Sequence, residues 1–201
     1  MKNGLLLGTL FLFFSAFNAQ AELVVTDWET EGDELIVIDT DTGYKWLNLA
    51  LTVNQSIDDV SAQLSTIYSG WRLATEDEVF NLMANHYGWE DRREGSAPVE
   101  LRNEWQDAFG ITGSGGRSYG SYIGNDGSVN MAGTRNSNYV YFNYTRGSNS
   151  AKFNQYDGVF LMSEGLVTLE EKANIQSVNS PLAVGVLALA FIFGSRRFTN
   201  H

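Results

Sequence analysis

Cysteine is absent from this chain of 201 residues. This absence excludes disulfide bonds, thiol catalysis, cysteine-ligated zinc sites and lipid attachment at an N-terminal cysteine. Any folded part of the chain must therefore be stabilised by its hydrophobic core.

Histidine is almost as scarce. The chain contains only His86 and His201. A serine hydrolase needs a general base, which is normally a histidine. His86 falls on the apolar face of a predicted helix, and His201 follows a hydrophobic C-terminal run. We therefore expect His86 to be a structural residue. We do not expect the chain to be a serine hydrolase.

Basic residues are also few. Residues 22–180 hold 10 of the 13 lysines and arginines and all 24 acidic residues, which gives a net charge of −14. Nucleic acids and anionic lipids are bound by clustered basic side chains, so we expect no nucleic-acid partner. These 159 residues are enough to bury a core, and they indicate one acidic domain.

The first 21 residues have the organisation of a secretory signal peptide. Lys2 provides a positive start, residues 4–17 are mostly apolar, and Ala19-Gln20-Ala21 forms a small-residue cleavage site. We expect cleavage after Ala21 and export of the chain. A permanent N-terminal anchor is the alternative, which the well-formed cleavage site disfavours.

A hydrophobic run lies near the C-terminus. Residues 182–194 are 13 residues without a charge, and Arg196 and Arg197 follow closely. A membrane-spanning helix usually has about 20 apolar residues, but snorkelling arginines and an uncharged lead-in extend this run. The positive-inside rule places both arginines in the cytoplasm. Because the run is apolar on all sides, it favours a membrane tail over the alternative, a buried helix of the domain.

The tripeptide Asn179-Ser180-Pro181 precedes this hydrophobic run. A proline-containing signature, a hydrophobic helix and a closing arginine pair resemble the PEP-CTERM sorting signal of Gram-negative bacteria, although only Pro181 matches that family's Pro-Glu-Pro. The resemblance implies recognition by an exosortase-type enzyme in the inner membrane, cleavage near the signature and delivery to the cell surface or biofilm matrix. A stably anchored periplasmic protein with an unprocessed tail is the alternative.

Capping signals and hydrophobic periodicity predict three helices between the two ends. Ser56 with Asp59, and Thr75 with Glu78, have the spacing of a capping box. The predicted helices run from residue 57 to 68, from about 75 to 88 and from 98 to 110.

Short alternating segments predict strands. They comprise residues 23–25, 34–38, 44–49, 71–73, 119–123, 129–131, 139–144 and 159–162. Asn125-Asp126-Gly127 predicts a hairpin turn. Asp39-Thr40-Asp41-Thr42-Gly43 is interpreted as an Asx turn, because the glutamate that completes an EF-hand calcium loop is missing.

Two motifs carry a second resemblance. Residues 42–47 read Thr-Gly-Tyr-Lys-Trp-Leu, and residues 71–78 contain Trp-Arg-Leu-Ala-Thr followed by Glu78. This order is similar to domains related to the formylglycine-generating enzyme and its C-type-lectin-like relatives, with Ala74 at the position of the family's proline. The resemblance implies a fold more than an activity, since that family's redox chemistry needs cysteines. We expect Arg72 to form a salt bridge or bind carbonyl groups within the domain.

The predicted fold is therefore α+β and C-type-lectin-like, with a small, twisted, mostly antiparallel sheet and two to three helices. An N-terminal signal helix and a C-terminal hydrophobic helix flank it. The predicted organisation is a signal peptide at 1–21, a globular domain at 22–163, a polar tether at 164–178 and a sorting signal at 179–201.

No catalytic residue, cofactor or metal site is predicted. The Tyr-, Asn- and Ser-rich loops of residues 117–156 have the composition of a recognition surface, or they only close the sheet and cover its edges. The candidate ligand surface comprises Tyr119, Tyr122, Asn138, Tyr139, Tyr141 and Asn143. We interpret the chain as an exported surface or matrix protein, a non-enzymatic structural or carbohydrate-binding module with exopolysaccharide as a candidate partner. The alternative is a carbohydrate-acting enzyme of the envelope, although no pair of carboxylates stands out in the sequence.

Overall fold

A computed structural model describes residues 22–91, 95–137, 139–152 and 154–163. The predicted signal peptide, tether and sorting tail lie outside these residues, as does Asn138. The part that is described has an α+β fold, which confirms the predicted class. None of its helices has the length and apolar character needed to cross a membrane.

Strands outnumber helices in the domain. In chain order the elements are β1 Leu23–Thr26, β2 Ile36–Asp39, β3 Lys45–Leu47, the short 3-10 helix η1 Leu49–Thr52, α1 Ile57–Ala62, β4 Trp71–Leu73, α2 Glu76–Tyr87, β5 Gly95–Ser96, α3 Val99–Phe109, β6 Ser118–Ile123, β7 Val129–Thr134, β8 Tyr139–Gly147, β9 Gly158–Val159 and β10 Leu161–Ser163.

These strands form two five-stranded sheets, where the sequence predicted one small sheet. The first sheet has the order β1-β2-β3-β10-β4 and is antiparallel throughout. The second has the order β5-β8-β7-β6-β9 and is antiparallel except for the parallel pair β6 and β9. The prediction was wrong because the segment 159–162, read as a single strand, is divided between the two sheets.

Phe160 is the residue at which the chain changes sheets. Its backbone N–H donates to the carbonyl oxygen of Ser121 in β6, and its carbonyl oxygen accepts from Ala74 N–H next to β4, both at 3.0 Å. The Phe160 side chain is 1% exposed and packs edge-on against Trp46. A single buried residue thus links the two sheets through both backbone and side chain.

Both predicted capping boxes are present. The side chains of Ser56 and Thr75 accept hydrogen bonds from backbone N–H groups three residues ahead. The carboxylates of Asp59 and Glu78 in turn accept from the backbone N–H groups of Ser56 and Thr75. These reciprocal bonds satisfy N–H groups that a helix start otherwise leaves without partners, so α1 and α2 begin where the sequence indicates.

Helix α1 ends at Ala62, six residues earlier than predicted. Gln63 donates its backbone N–H to Val60, a three-residue span that tightens the last turn, and the Thr66 hydroxyl binds the Gln63 carbonyl. Such side-chain bonds to the backbone compete with helix formation. Ile67, which the predicted helix of residues 57–68 included, lies beyond its observed end and is 59% exposed.

Apolar side chains cover both faces of the first sheet. On one face α2 and α3 pack between the two sheets, in a cluster that includes Val37, Trp46, Val79, Leu82, Met83, Trp105, Phe109, Tyr122, Val140, Phe142, Phe160 and Met162. On the other face α1 contributes to a smaller cluster with Leu47, Ile57, Val60, Tyr68, Trp71, Val129, Val159 and Leu161. The larger cluster buries one face of the second sheet. The opposite face of that sheet carries tyrosines of β8.

Candidate functional site

Successive side chains of β8 point alternately to the core and to the opposite face of the sheet, as in any pleated strand. Val140 and Phe142 are buried in the core between the sheets. Tyr139 and Tyr141 lie on the opposite face, with ring centroids 4.9 Å apart, and Tyr139 is 42% exposed. The sequence placed both tyrosines on a surface, and the structure brings them together.

A bulge at Asn143 adds a third tyrosine to this face. Asn143 has φ of +55°, and the register between β7 and β8 shifts between Met131 and Gly133. The extra residue reverses the alternation, so Tyr144 points to the same side as Tyr141. The two ring centroids are 5.9 Å apart, and Tyr144 is 45% exposed.

Each of three arginines places its guanidinium over a tyrosine ring. The distances from guanidinium carbon to ring centroid are 4.5 Å for Arg117 and Tyr156, 5.5 Å for Arg135 and Tyr141, and 5.1 Å for Arg146 and Tyr144. Such contacts orient both partners. We call Tyr139, Tyr141, Tyr144 and Tyr156 with Arg117, Arg135 and Arg146 the tyrosine-arginine face.

Tyr119 lies beneath this face. It is 4% exposed, and its ring meets Tyr141 edge-on at 5.8 Å. Burial raises the pKa of Tyr119, as does Tyr141, whereas the nearby arginines Arg135, Arg117 and Arg146 act in the opposite direction. Tyr119 therefore supports the exposed rings and offers a ligand little surface of its own.

Tyr122 does not belong to an accessible surface, which corrects the residue set drawn from the sequence. It is 2% exposed and stacks on Phe142 in the core. Its hydroxyl binds the side chain of Asn143, which also donates to Glu76 at 3.0 Å. The half-buried Asn143 thus serves the core and the bulge, and Asn138 lies outside the residues described.

An ion pair with a buried carboxylate holds Arg146 in place. Its Nε and Nη2 each donate to a carboxylate oxygen of Asp157 at 3.0 Å, and the Ser121 hydroxyl donates to the same carboxylate at 3.3 Å. Asp157 is 2% exposed. Burial raises the pKa of Asp157, and the charge and hydrogen bonds of Arg146 lower it in part.

A pocket of about 290 Å³ opens beside this pair. Its lining comprises Ser121, Val129, Arg146, Gly147, Ser148, Asn149, Lys152 and Asn154. These residues lie within the loops of residues 117–156 whose composition suggested a recognition surface, although the sequence did not indicate a pocket there. A local count of charge was the signal that would have found it, because residues 109–163 carry four basic and two acidic side chains. Residues 22–108, in contrast, carry five basic and 19 acidic ones.

The buried carboxylates of the described domain lie on separate elements and have structural partners. Asp39 accepts from Asp41 N–H and the Thr42 hydroxyl, which confirms the predicted Asx turn. Glu76 accepts from Asn125 N–H at 2.7 Å. No group of three or more metal-binding side chains occurs among the residues that the structure covers.

His86 and Arg72 occupy the structural positions that the sequence indicated. His86 is 1% exposed, its Nε2 donates to the carbonyl oxygen of Leu101 at 2.7 Å, and burial lowers its pKa. Arg72 donates to both carboxylate oxygens of Glu78, at 2.6 and 2.9 Å, and to the carbonyl oxygen of Leu73.

Comparison of the chain with protein-family models, with curated proteins and with solved structures finds no match.

Proposed function

We propose that the chain is an exported protein of the cell surface or extracellular matrix and that its domain is a non-enzymatic module that binds polysaccharide. The observation that carries this proposal is the row of Tyr139, Tyr141 and Tyr144 on one face of β8, with guanidinium groups over two of the rings.

Such a surface suits sugar rings. A tyrosine provides rigid contact area for the C–H face of a pyranose, and its hydroxyl hydrogen-bonds to the sugar's polar edge. Guanidinium groups add further donors in a fixed plane. Tyr139 and Tyr144, which both contact Tyr141, are 42% and 45% exposed, and contiguous exposed aromatic surface is a feature of interaction sites.

Substitution of the exposed tyrosines tests this proposal. We expect Tyr139→Ala and Tyr144→Ala each to weaken polysaccharide binding by about threefold to tenfold, because an aromatic contact contributes about 0.5–1.5 kcal/mol beyond its buried area. The measurement is affinity electrophoresis of the full chain in gels that contain soluble polysaccharides.

Ile67→Ala is the matched control, since Ile67 is a large exposed side chain after α1, away from this face. It is expected to migrate as the parent protein does. Equal retardation of the parent, both tyrosine variants and the control would refute a binding role for the face.

Sorting to the surface forms the second part of the proposal. Its support is the order of signature, hydrophobic run and arginine pair in residues 179–201, together with the cleavage site that ends at Ala21. The test is the intact mass of protein recovered from native cells, from membrane and from medium. A species from Glu22 to near Pro181 is expected, whereas a membrane species that keeps residues 182–201 would show that the tail is a plain anchor.

A C-type-lectin-like fold is the third part. Its support is the position of Trp71-Arg72-Leu73 in β4, which pairs with β10, the last strand among the described residues, and leads through the Thr75 cap into α2. A crystal structure superposed on members of that family tests it. A different order of connections around β4 and β10 would exclude the assignment.

A further inference from the structure

The pocket beside the tyrosine-arginine face is lined by cationic, amide and hydroxyl groups. Arg146 and Lys152 supply the charge, Asn149 and Asn154 supply amides, and no carboxylate lines it. This set of donors suits a ligand with several oxygen atoms, at least one of them charged.

Arg146 is oriented before any ligand arrives. Asp157 binds its Nε and Nη2, and the ring of Tyr144 lies under its guanidinium group. Within the described part of the chain, Nη1 makes no hydrogen bond. A fixed guanidinium with one remaining nitrogen is a directional donor that loses little entropy on binding.

Lys152 provides the net positive charge, because Asp157 offsets that of Arg146. Lys152 is exposed, and among the described residues neither it nor Arg117 nor Arg135 forms an ion pair with a carboxylate. The rest of the domain is strongly acidic. A polyanion is therefore repelled by most of the surface and attracted to this face.

We propose that this pocket binds the carboxylate group of an acidic sugar, so that the polysaccharide held on the tyrosine-arginine face is a polyuronate. This inference rests on the proposed function. Arg146 connects the two parts of the site, since it borders the pocket and its guanidinium lies over Tyr144. One sugar unit can place its carboxylate beside Arg146 and Lys152 while a neighbouring unit packs on the tyrosine rings.

The experiment compares three polymers by affinity electrophoresis and calorimetry with the full chain: polygalacturonate, uncharged dextran and polyglutamate. We expect polygalacturonate to bind more tightly than either of the others. Lys152→Gln is expected to weaken polygalacturonate binding by at least about threefold, and by a larger factor than it weakens dextran binding. Arg146→Lys, which keeps the charge and removes the planar fork, is expected to weaken it as well.

Lys45→Gln is the matched control, because it removes the same charge from β3 in the first sheet. Dextran binding equal to polygalacturonate binding, with no effect of Lys152→Gln, would overturn the uronate inference and leave the polysaccharide function intact. Equal binding of polyglutamate and polygalacturonate would overturn the sugar component, since charge alone would then suffice. Retention by none of the polymers would overturn this inference and the binding function together.

Discussion

Glu78 joins a strand to a helix through a single carboxylate. It accepts two hydrogen bonds from Arg72 in β4 and one, at 2.8 Å, from the backbone N–H of Thr75 at the start of α2. The hydrogen bond from Arg72 is the main cause that lowers the pKa of Glu78 to about 2. The sequence predicted the contact between Thr75 and Glu78 as a capping box, whereas for Arg72 it predicted a salt bridge or carbonyl contact without identifying Glu78 as the partner.

The lowered pKa predicts a pH dependence of stability. The pKa of Glu78 has its ordinary value of 4.5 in the unfolded chain and falls to about 2 in the folded chain. The ionised carboxylate therefore stabilises the folded state. Its contribution is complete above pH 4.5 and is lost as the pH falls toward 2. We expect Glu78→Gln to lower the free energy of unfolding by about 1–2 kcal/mol at pH 7 and to lose less stability than the parent between these pH values.

Urea unfolding followed by tryptophan fluorescence across this pH range checks the prediction. Glu29→Gln is the control, because Glu29 has an exposed side chain. Parallel stability curves for Glu78→Gln and the parent would contradict the prediction.

Alternation along a strand predicts which tyrosines share a face of the sheet, except where a bulge interrupts it. Tyr119 and Tyr122 are an odd number of positions apart in β6, so they point to opposite faces of the sheet and could not share one ligand surface. Tyr139 and Tyr141 are an even number apart and do share a face. Tyr144 joins them only through the bulge at Asn143, and no pattern in the sequence marks that bulge.

At the scale of the element, β7 supports the tyrosine-arginine face by means of a glycine. Gly133 lies in register between Tyr119 of β6 and Tyr141 of β8, and it has no side chain to separate their rings. Its φ is +135°, and a Cβ atom there would lie 2.0 Å from the carbonyl oxygen of Ser118. The strand therefore requires glycine at this point, both for its backbone conformation and for space.

We expect Gly133→Ala to destabilise the domain by more than about 2 kcal/mol, because a backbone atom blocks the new methyl group and the backbone is strained. Gly95→Ala in β5 is the control, since no atom lies within 4 Å of its added Cβ, and it is expected to be neutral or slightly stabilising. Thermal unfolding measures both. Equal melting temperatures would argue against close packing at Gly133.

The sequence predicted the ends of α2 and α3 well, but it did not predict how the strands are divided between two sheets. α2 and α3 begin and end close to the predicted residues because caps, Pro98 and the glycines that follow them are local signals. η1 replaces the end of a predicted strand, since the Asn48 side chain accepts from Ala50 N–H and starts a turn. The assignment of strands to two sheets depends on distant pairing, which local patterns do not carry.

At the scale of the whole molecule, Phe160 makes the two sheets dependent on each other. We expect Phe160→Ala to cost about 3–5 kcal/mol, the usual effect of removing a buried aromatic ring. Tryptophan fluorescence, to which all five tryptophans contribute, and near-ultraviolet circular dichroism, to which tryptophans and tyrosines both contribute, are expected to give coincident urea transitions in parent and variant. Ile111→Ala, at a side chain that is 51% exposed, is the control. Separate transitions for the two signals would contradict a single cooperative unfolding step of the two sheets.

The position of β10 also determines when the fold can form. β10 contains the last described residues, yet it lies between β3 and β4 in the first sheet. While the chain is being synthesised, β3 and β4 therefore have no partner between them until residue 163 has emerged. The β1-β2-β3 part of this sheet can pair earlier, whereas β4 can join it only after β10 is available.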